Sequence, residues 1–144
     1  MAVSQRVLFG TNGIRGVVNQ DLTPEFAAKV GVAIGTYFGK GDVLIGYDAR
    51  TSNILLSRAV AAGAMSCGCN IHDTGCAPTP AIQYAVKHFG MDGAIIVTAS
   101  HNPPEYNGIK VVASDGVEIV REEEEKIEAT FFEDAFSRVP WSDV

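Results

Sequence analysis

Residues 98–104 read Thr-Ala-Ser-His-Asn-Pro-Pro, which sets one serine hydroxyl beside one imidazole in a polar loop. A serine oxygen is a weak nucleophile until a base takes its proton or it carries a transferable group. Ser100 is therefore the candidate reactive residue, and its neighbours must supply whichever help it uses. The apolar run Gly-Ala-Ile-Ile-Val at 93–97 leads into the loop, and Asn-Gly-Ile-Lys at 107–110 follows it. Such a run, bounded by turn residues, predicts a buried parallel strand, and ligands of open α/β sheets bind just past the carboxyl ends of such strands.

A second stretch with chemical content lies upstream. Residues 8–17, Leu-Phe-Gly-Thr-Asn-Gly-Ile-Arg-Gly-Val, bracket Arg15 with three glycines and read as a loop open to close ligand approach. The spacing fits neither GxGxxG nor a P-loop, so a dinucleotide or nucleoside-triphosphate cradle is not expected. The planar guanidinium of Arg15 suits a phosphate or a phosphoserine, with an ordinary surface arginine as the competing reading. Adjacent side chains in an extended loop point apart, so His101 is awkward as the base of a Ser-His dyad. It is expected instead to support the loop or a phosphoserine, and Asn102, Pro103 and Pro104 to shape the turn. Asp48 and Arg50, in Gly-Tyr-Asp-Ala-Arg at 46–50, read as an internal ion pair anchoring the helix that follows, outside the active site. A serine esterase is disfavoured because no G-x-S-x-G elbow is present.

The elements that must position these residues alternate. Thr23-Pro24-Glu25 predicts a helix start, with Leu22, Phe26, Val30, Ile34 and Tyr37 at helical spacing up to about Phe38. Further helices are expected from about Leu55 to Gly68, from Pro80 to Gly90, and through the acidic segment to Phe132. Strands are expected over 43–47, 69–73, 93–97 and 108–112, the last after the serine loop in a hairpin-like element. Strands separated by helices predict an α/β fold, a three-layer α/β/α sandwich with a mainly parallel, mixed sheet of about four strands.

A chain of 144 residues that is 47% hydrophobic supports one domain over 1–144. No stretch approaches the roughly 20 apolar residues of a membrane span, and the N-terminus lacks a charged-then-apolar leader pattern, so a cytoplasmic protein is expected. The chain stops soon after the last predicted helix, as an excised domain would. Cys67, Cys69 and Cys76 are odd in number and read as reduced, buried thiols, with a metal site including His72 as the alternative. Residues 118–134 hold eight acids against two bases, which accounts for the whole formal charge of −6. With no basic face elsewhere, nucleic acid is not an expected partner. The acidic run reads as a solvated helix face ahead of a docking patch.

Taken in order, Phe-Gly-Thr-Asn-Gly-Ile-Arg-Gly, Gly-Tyr-Asp-Ala-Arg, Thr-Ala-Ser-His-Asn-Pro-Pro and Asn-Gly-Ile-Lys resemble the N-terminal domain of the α-D-phosphohexomutases. The likeness covers nearly the whole chain and is greatest to the phosphomannomutase/phosphoglucomutase enzymes, with phosphoglucosamine mutase the near relative. It implies that Ser100 carries a phosphoryl group, interconverting hexose 1-phosphate and hexose 6-phosphate through a bisphosphorylated sugar. It further implies Mg²⁺ held by the Ser100 phosphate together with aspartates of a domain absent here, the rest of the parent chain as partner, and Lys110 acting with Arg15 in proton transfer. Placed near Arg15 and a metal, Lys110 would have its pKa depressed toward the working range of an acid/base. His101 would assist. The isolated domain is expected to be inactive, and a non-catalytic anion-binding module is the reading from another class.

Overall fold

The computed structural model describes residues 7–144. The expectation about a leader pattern in residues 1–6 lies outside them. The first helix, α1 (Pro24–Phe38), begins as its sequence predicts: Phe26 N–H donates to Thr23 Oγ1 at 3.2 Å, and Pro24 occupies the first turn, where its missing N–H costs nothing. Helices α2 (Asn53–Met65), α3 (Thr79–Phe89) and α4 (Arg121–Glu133) follow.

The sheet holds five strands rather than about four: β1 (Ile14–Val17), β2 (Asp42–Tyr47), β3 (Asn70–Cys76), β4 (Gly93–Val97) and β5 (Tyr106–Ala113), in the order β1-β5-β4-β2-β3. β2 runs parallel to both β3 and β4, while β5 is antiparallel to β4 and β1. Four strands thus share one direction and β5 opposes them, which is the mixed, mainly parallel sheet expected. The extra strand is β1, in the segment read as a glycine loop. Its glycines mask an extended stretch that pairs Arg15 with Gly108. Gly108 is required at that crossing, since a Cβ there would sit 2.6 Å from the Ile14 carbonyl oxygen and 2.7 Å from that of Thr98. β3 runs to Cys76, beyond the predicted end at 73, as a largely exposed edge.

Helices α1, α2 and α4 cover one face of the sheet, packing Val30, Ile34, Val60 and Ile127 on Val43, Ile45, Ile95, Val97 and Ile109. On the other face α3 sets Ile82 and Val86 against Leu44, Ala94, Ile96 and Val112. β2 and β4 are therefore apolar on both sides, the cause of their unbroken hydrophobic runs. Along β5, Ile109 and Val111 join the first cluster and Val112 the second, so Lys110 shares the α3 face. α3 packs mainly on β4 and β2.

Cys67 and Cys69 are buried as expected, but Cys76 is exposed because β3 is an edge strand. Burial pushes the Cys69 thiol up to about 12, aided by neighbouring Cys67 and Asp92. Among the described residues no group of three His, Cys, Asp or Glu is arranged to hold a metal. The acidic helix departs from a purely solvated face at one position: Glu128 is buried and its Oε1 accepts the amides of Leu8 and Phe9, each at 2.8 Å. That bond ties the start of the glycine-rich segment to α4. No described helix is long and apolar enough to cross a membrane.

Candidate active site

Tyr47 of β2 and Val97 of β4 are register partners, so residues 48–50 and 98–100 leave the sheet side by side at its carboxyl edge. There the chain turns sharply. Ser100 adopts φ +53, in the left-handed region that side chains rarely occupy, and its N–H donates to Thr98 Oγ1 at 3.0 Å. The residue is exposed. Its Oγ lies 3.4 Å from His101 Nδ1, which corrects the expectation that the two side chains point apart. The premise was an extended loop, and the positive φ folds it back. At 3.4 Å the contact is long for a hydrogen bond to a hydroxyl, so His101 attends Ser100 without gripping it.

Two arginines hold the loop from opposite sides. Arg15 Nη1 donates to the Ala99 carbonyl at 2.7 Å and to Asn102 Oδ1, and its Nε reaches the Asn12 carbonyl at 3.3 Å. The structure thus brings Arg15 to the serine loop, through loop atoms. Arg50 was expected to anchor the helix after it. Instead its Nη1 donates to the carbonyls of Pro103 and Tyr106 at 2.8 and 2.9 Å, and its Nη2 to those of Ser100 and Asn102 at 3.0 and 2.7 Å. The ion pair with Asp48 is present, Nε to Oδ2 at 3.6 Å. Helix anchoring falls to Asp48, whose Oδ1 accepts from Asn53 Nδ2 at 2.6 Å.

These contacts continue into a buried polar network. Thr98 Oγ1 donates to Asp48 Oδ2 at 2.7 Å, and Asn107 Nδ2 donates to Asn53 Oδ1 at 2.7 Å and Ser52 Oγ at 2.8 Å. Asn107, fully buried, therefore joins the strand after the loop to the start of α2. Desolvation acts to raise the Asp48 carboxyl, but the hydrogen bonds from Asn53, Thr98 and the Arg50 amide, with the Arg50 charge, hold it below its ordinary range. Such linked hydrogen bonds rigidify their surroundings, although Arg50 Nε is left buried without a hydrogen-bond partner.

Lys110 lies opposite Ile96 on β5. Its stem packs over Gly13, where an added Cβ would come within 3.0 Å of Lys110 Cγ, so the lysine neighbours the glycine-rich segment that carries Arg15. Its ammonium, however, pairs with Glu118 Oε1 at 2.6 Å. Glu118 was not among the candidate residues. The Val112–Glu118 bridge across the turn brings it to Lys110, a pairing that helical and strand periodicity do not reveal.

Two open clefts flank the loop. One, of about 440 Å³, runs past Ser100 between Arg50 and Pro104; the other, of about 550 Å³, is walled by the glycine-rich segment with Arg15 and His101. An exposed hydroxyl on a braced, left-handed residue between them can accept and return a group delivered from outside the domain.

Residues 6–138 match the model of the phosphoglucomutase/phosphomannomutase α/β/α domain I. The chain is 53% identical over 94% of its length to a phosphoglucosamine/phosphogalactosamine mutase of Sulfurisphaera tokodaii, covering 30% of that protein. It is 46% identical over 95% of its length to a phosphoglucomutase/phosphomannomutase of Thermococcus kodakarensis, covering 31% of it. Among solved structures, a phosphoglucomutase/phosphomannomutase family protein of Burkholderia thailandensis superposes with a TM-score of 0.82 at 31% identity, over 91% of this chain and 31% of the other. The chain thus spans about 30% of the length of the curated relatives it matches.

Proposed function

Because this chain belongs to the phosphoglucomutase/phosphomannomutase family as its α/β/α domain I, we propose that residues 1–144 form the phosphoserine-bearing first domain of a longer phosphohexomutase. The observation that carries the reading is Ser100: an exposed hydroxyl at the carboxyl edge of a parallel sheet, held at φ +53. The parent enzyme interconverts hexose 1-phosphate and hexose 6-phosphate, Ser100 giving its phosphoryl group to one sugar oxygen and taking another back from the bisphosphorylated sugar. Phosphoryl transfer asks a protein mainly for alignment and charge neutralisation. Alignment is the part this domain contributes, through a loop fixed on both sides. Lys110 serves as the proton donor and acceptor for the sugar hydroxyl, with Arg15 and His101 beside the transferred group.

Among the described residues no group is arranged to hold a metal by itself, so a Mg²⁺ in this reading is shared with the rest of the parent chain. Asp48, the carboxylate beside the loop, already accepts bonds on both oxygens, so the Ser100 phosphate is the ligand this domain offers and the remainder come from the rest of the parent chain. When bound there the ion neutralises charge on the phosphoryl oxygens. We place the parent enzyme in the cytoplasm, where phosphorylated sugars are its substrates.

Glucose and mannose phosphates are the substrates of this reading. An amino-sugar phosphate is the second, favoured by the 53% identity to the Sulfurisphaera protein. The experiment is a mutase assay on the full-length enzyme with glucose, mannose and glucosamine 1-phosphates, alongside intact mass of the purified protein. A single phosphoryl adduct that disappears in Ser100→Ala together with all activity supports the proposal. Undiminished turnover by Ser100→Ala overturns it.

A further inference from the structure

We propose that Arg50 is a positioning residue that holds the reactive serine in place, acting on the reaction without touching substrate. This rests on the reading of Ser100 as the phosphoryl carrier.

A guanidinium has five N–H donors. The four on the Nη atoms of Arg50 are all engaged by carbonyl oxygens of one loop, those of Ser100, Asn102, Pro103 and Tyr106. The fifth, on Nε, is buried without a hydrogen-bond partner, 3.6 Å from Asp48 Oδ2. The four Nη donors are taken and the Nε donor is buried, so Arg50 has no accessible donor left for a phosphate. Its cation does something else. Four carbonyl dipoles converging on one point repel each other, and a left-handed serine is disfavoured on its own. A charge at the centre of that convergence makes both favourable.

The other half of the brace is Asp48. Its Oδ2 takes the Thr98 hydroxyl, and Thr98 Oγ1 in turn takes the Ser100 amide. Arg50 therefore holds the carbonyl of Ser100 and Asp48, through Thr98, holds its N–H, fixing the residue at both ends of its backbone. The Arg50–Asp48 pair leaves the direction of Oγ as the one freedom. A carrier that donates and then accepts in one cycle needs its oxygen in the same place in both steps, and small misplacements cost rate steeply. Lysine cannot replace this, being a point charge without the planar fork.

The test uses the full-length enzyme with the hexose 1-phosphate that it turns over. Arg50→Lys and Arg50→Ala are compared with wild type for kcat and KM, with melting temperature recorded, and Arg50→Ala is assayed with added methylguanidinium. The expected result is a fall in kcat of about 100-fold in both variants, with KM within about twofold, and partial recovery of kcat in Arg50→Ala by methylguanidinium. A raised KM at unchanged kcat would make Arg50 a substrate ligand and overturn the inference, as would Arg50→Lys at wild-type kcat. Should Arg50→Ala fail to fold, the Arg50→Lys kcat decides alone. Ser100→Ala separates the two layers: if it stays active, the carrier reading has failed, whereas an inactive Ser100→Ala beside a fully active Arg50→Lys overturns the brace only.

Discussion

Lys110 Nζ and Glu118 Oε1 are 2.6 Å apart, and the lysine side chain is only 13% exposed while the glutamate is 41% exposed. The pair thus has a sheltered cation and a wetted anion. The proposed role of Lys110, proton exchange with the sugar hydroxyl, makes the first prediction. Lys110→Met in the full-length enzyme should lower kcat about 10²- to 10⁴-fold, the range for loss of a general acid/base. Glu118→Gln should change stability by no more than about 1 kcal/mol, because its carboxylate is substantially solvated. Steady-state assays and thermal melts check both, and a Lys110→Met enzyme at wild-type kcat would remove the lysine from the chemistry.

The left-handed backbone of Ser100 makes a second prediction that separates stability from function. Alanine at φ +53 carries the same backbone penalty as serine, whereas glycine does not. Ser100→Gly should be more stable than Ser100→Ala by about 1 kcal/mol, with both unable to carry phosphate. Urea unfolding of the two variants measures the difference. Equal midpoints would mean that the loop relaxes out of the left-handed region in one of them.

Ser100, Arg15 and His101 stand out as candidates because their residue types sit in short, unusual strings, Lys110 only through the family resemblance, and the layer architecture because apolar runs alternate with helical stripes. What escaped is set by contacts distant in sequence. Arg50 and Ser100 are 50 positions apart, and their meeting follows from the parallel register of Tyr47 with Val97, which no local pattern encodes. Asn107 carried no structural reading of its own in the sequence, yet it lies in the core and is answered by Asn53 and Ser52. The His101 contact was misjudged because the positive φ of Ser100, whose carbonyl is held by Arg50, is not visible in the local string. β1 was hidden by glycines read as a loop open to close ligand approach, of which Gly13 instead passes close to the Ile109 carbonyl of β5.

Glu128 gives a prediction in pH. Burial acts to raise its carboxyl, but the hydrogen bond from Arg121, the amides of Phe9 and Leu8 and the arginine charge together hold it below its ordinary range. A carboxyl depressed in the folded state contributes stability that is fully present above its unfolded value of roughly 4.3 and is lost as pH falls through the lower folded value. Glu128→Gln should cost about 2 kcal/mol at pH 7, where two amides and a guanidinium lose their anion. The gap between variant and wild type should close as pH drops below about 4. Melting curves across pH 3–7 test this, and a gap independent of pH would show that the charge of Glu128 is immaterial.

The last prediction concerns the layer beneath the site. α1 and α2 approach so closely that a Cβ on Gly35 would lie 2.7 Å from both the Cα and the carbonyl oxygen of Ala64. In an exposed helix interior, Gly→Ala gains up to about 1 kcal/mol because alanine loses less backbone entropy. Here the obstacle is backbone, which cannot step aside as a side-chain end would, so the sign should reverse. Gly35→Ala is expected to destabilise by about 1–3 kcal/mol through forced separation of the two helices. Because Asn53 at the start of α2 anchors Asp48 and Asn107, that separation should also reach the serine loop and lower kcat in the full-length enzyme. Chemical denaturation with a parallel activity assay reads both effects, and a Gly35→Ala protein that melts higher than wild type would show that the helix contact yields freely and that the loop does not depend on it.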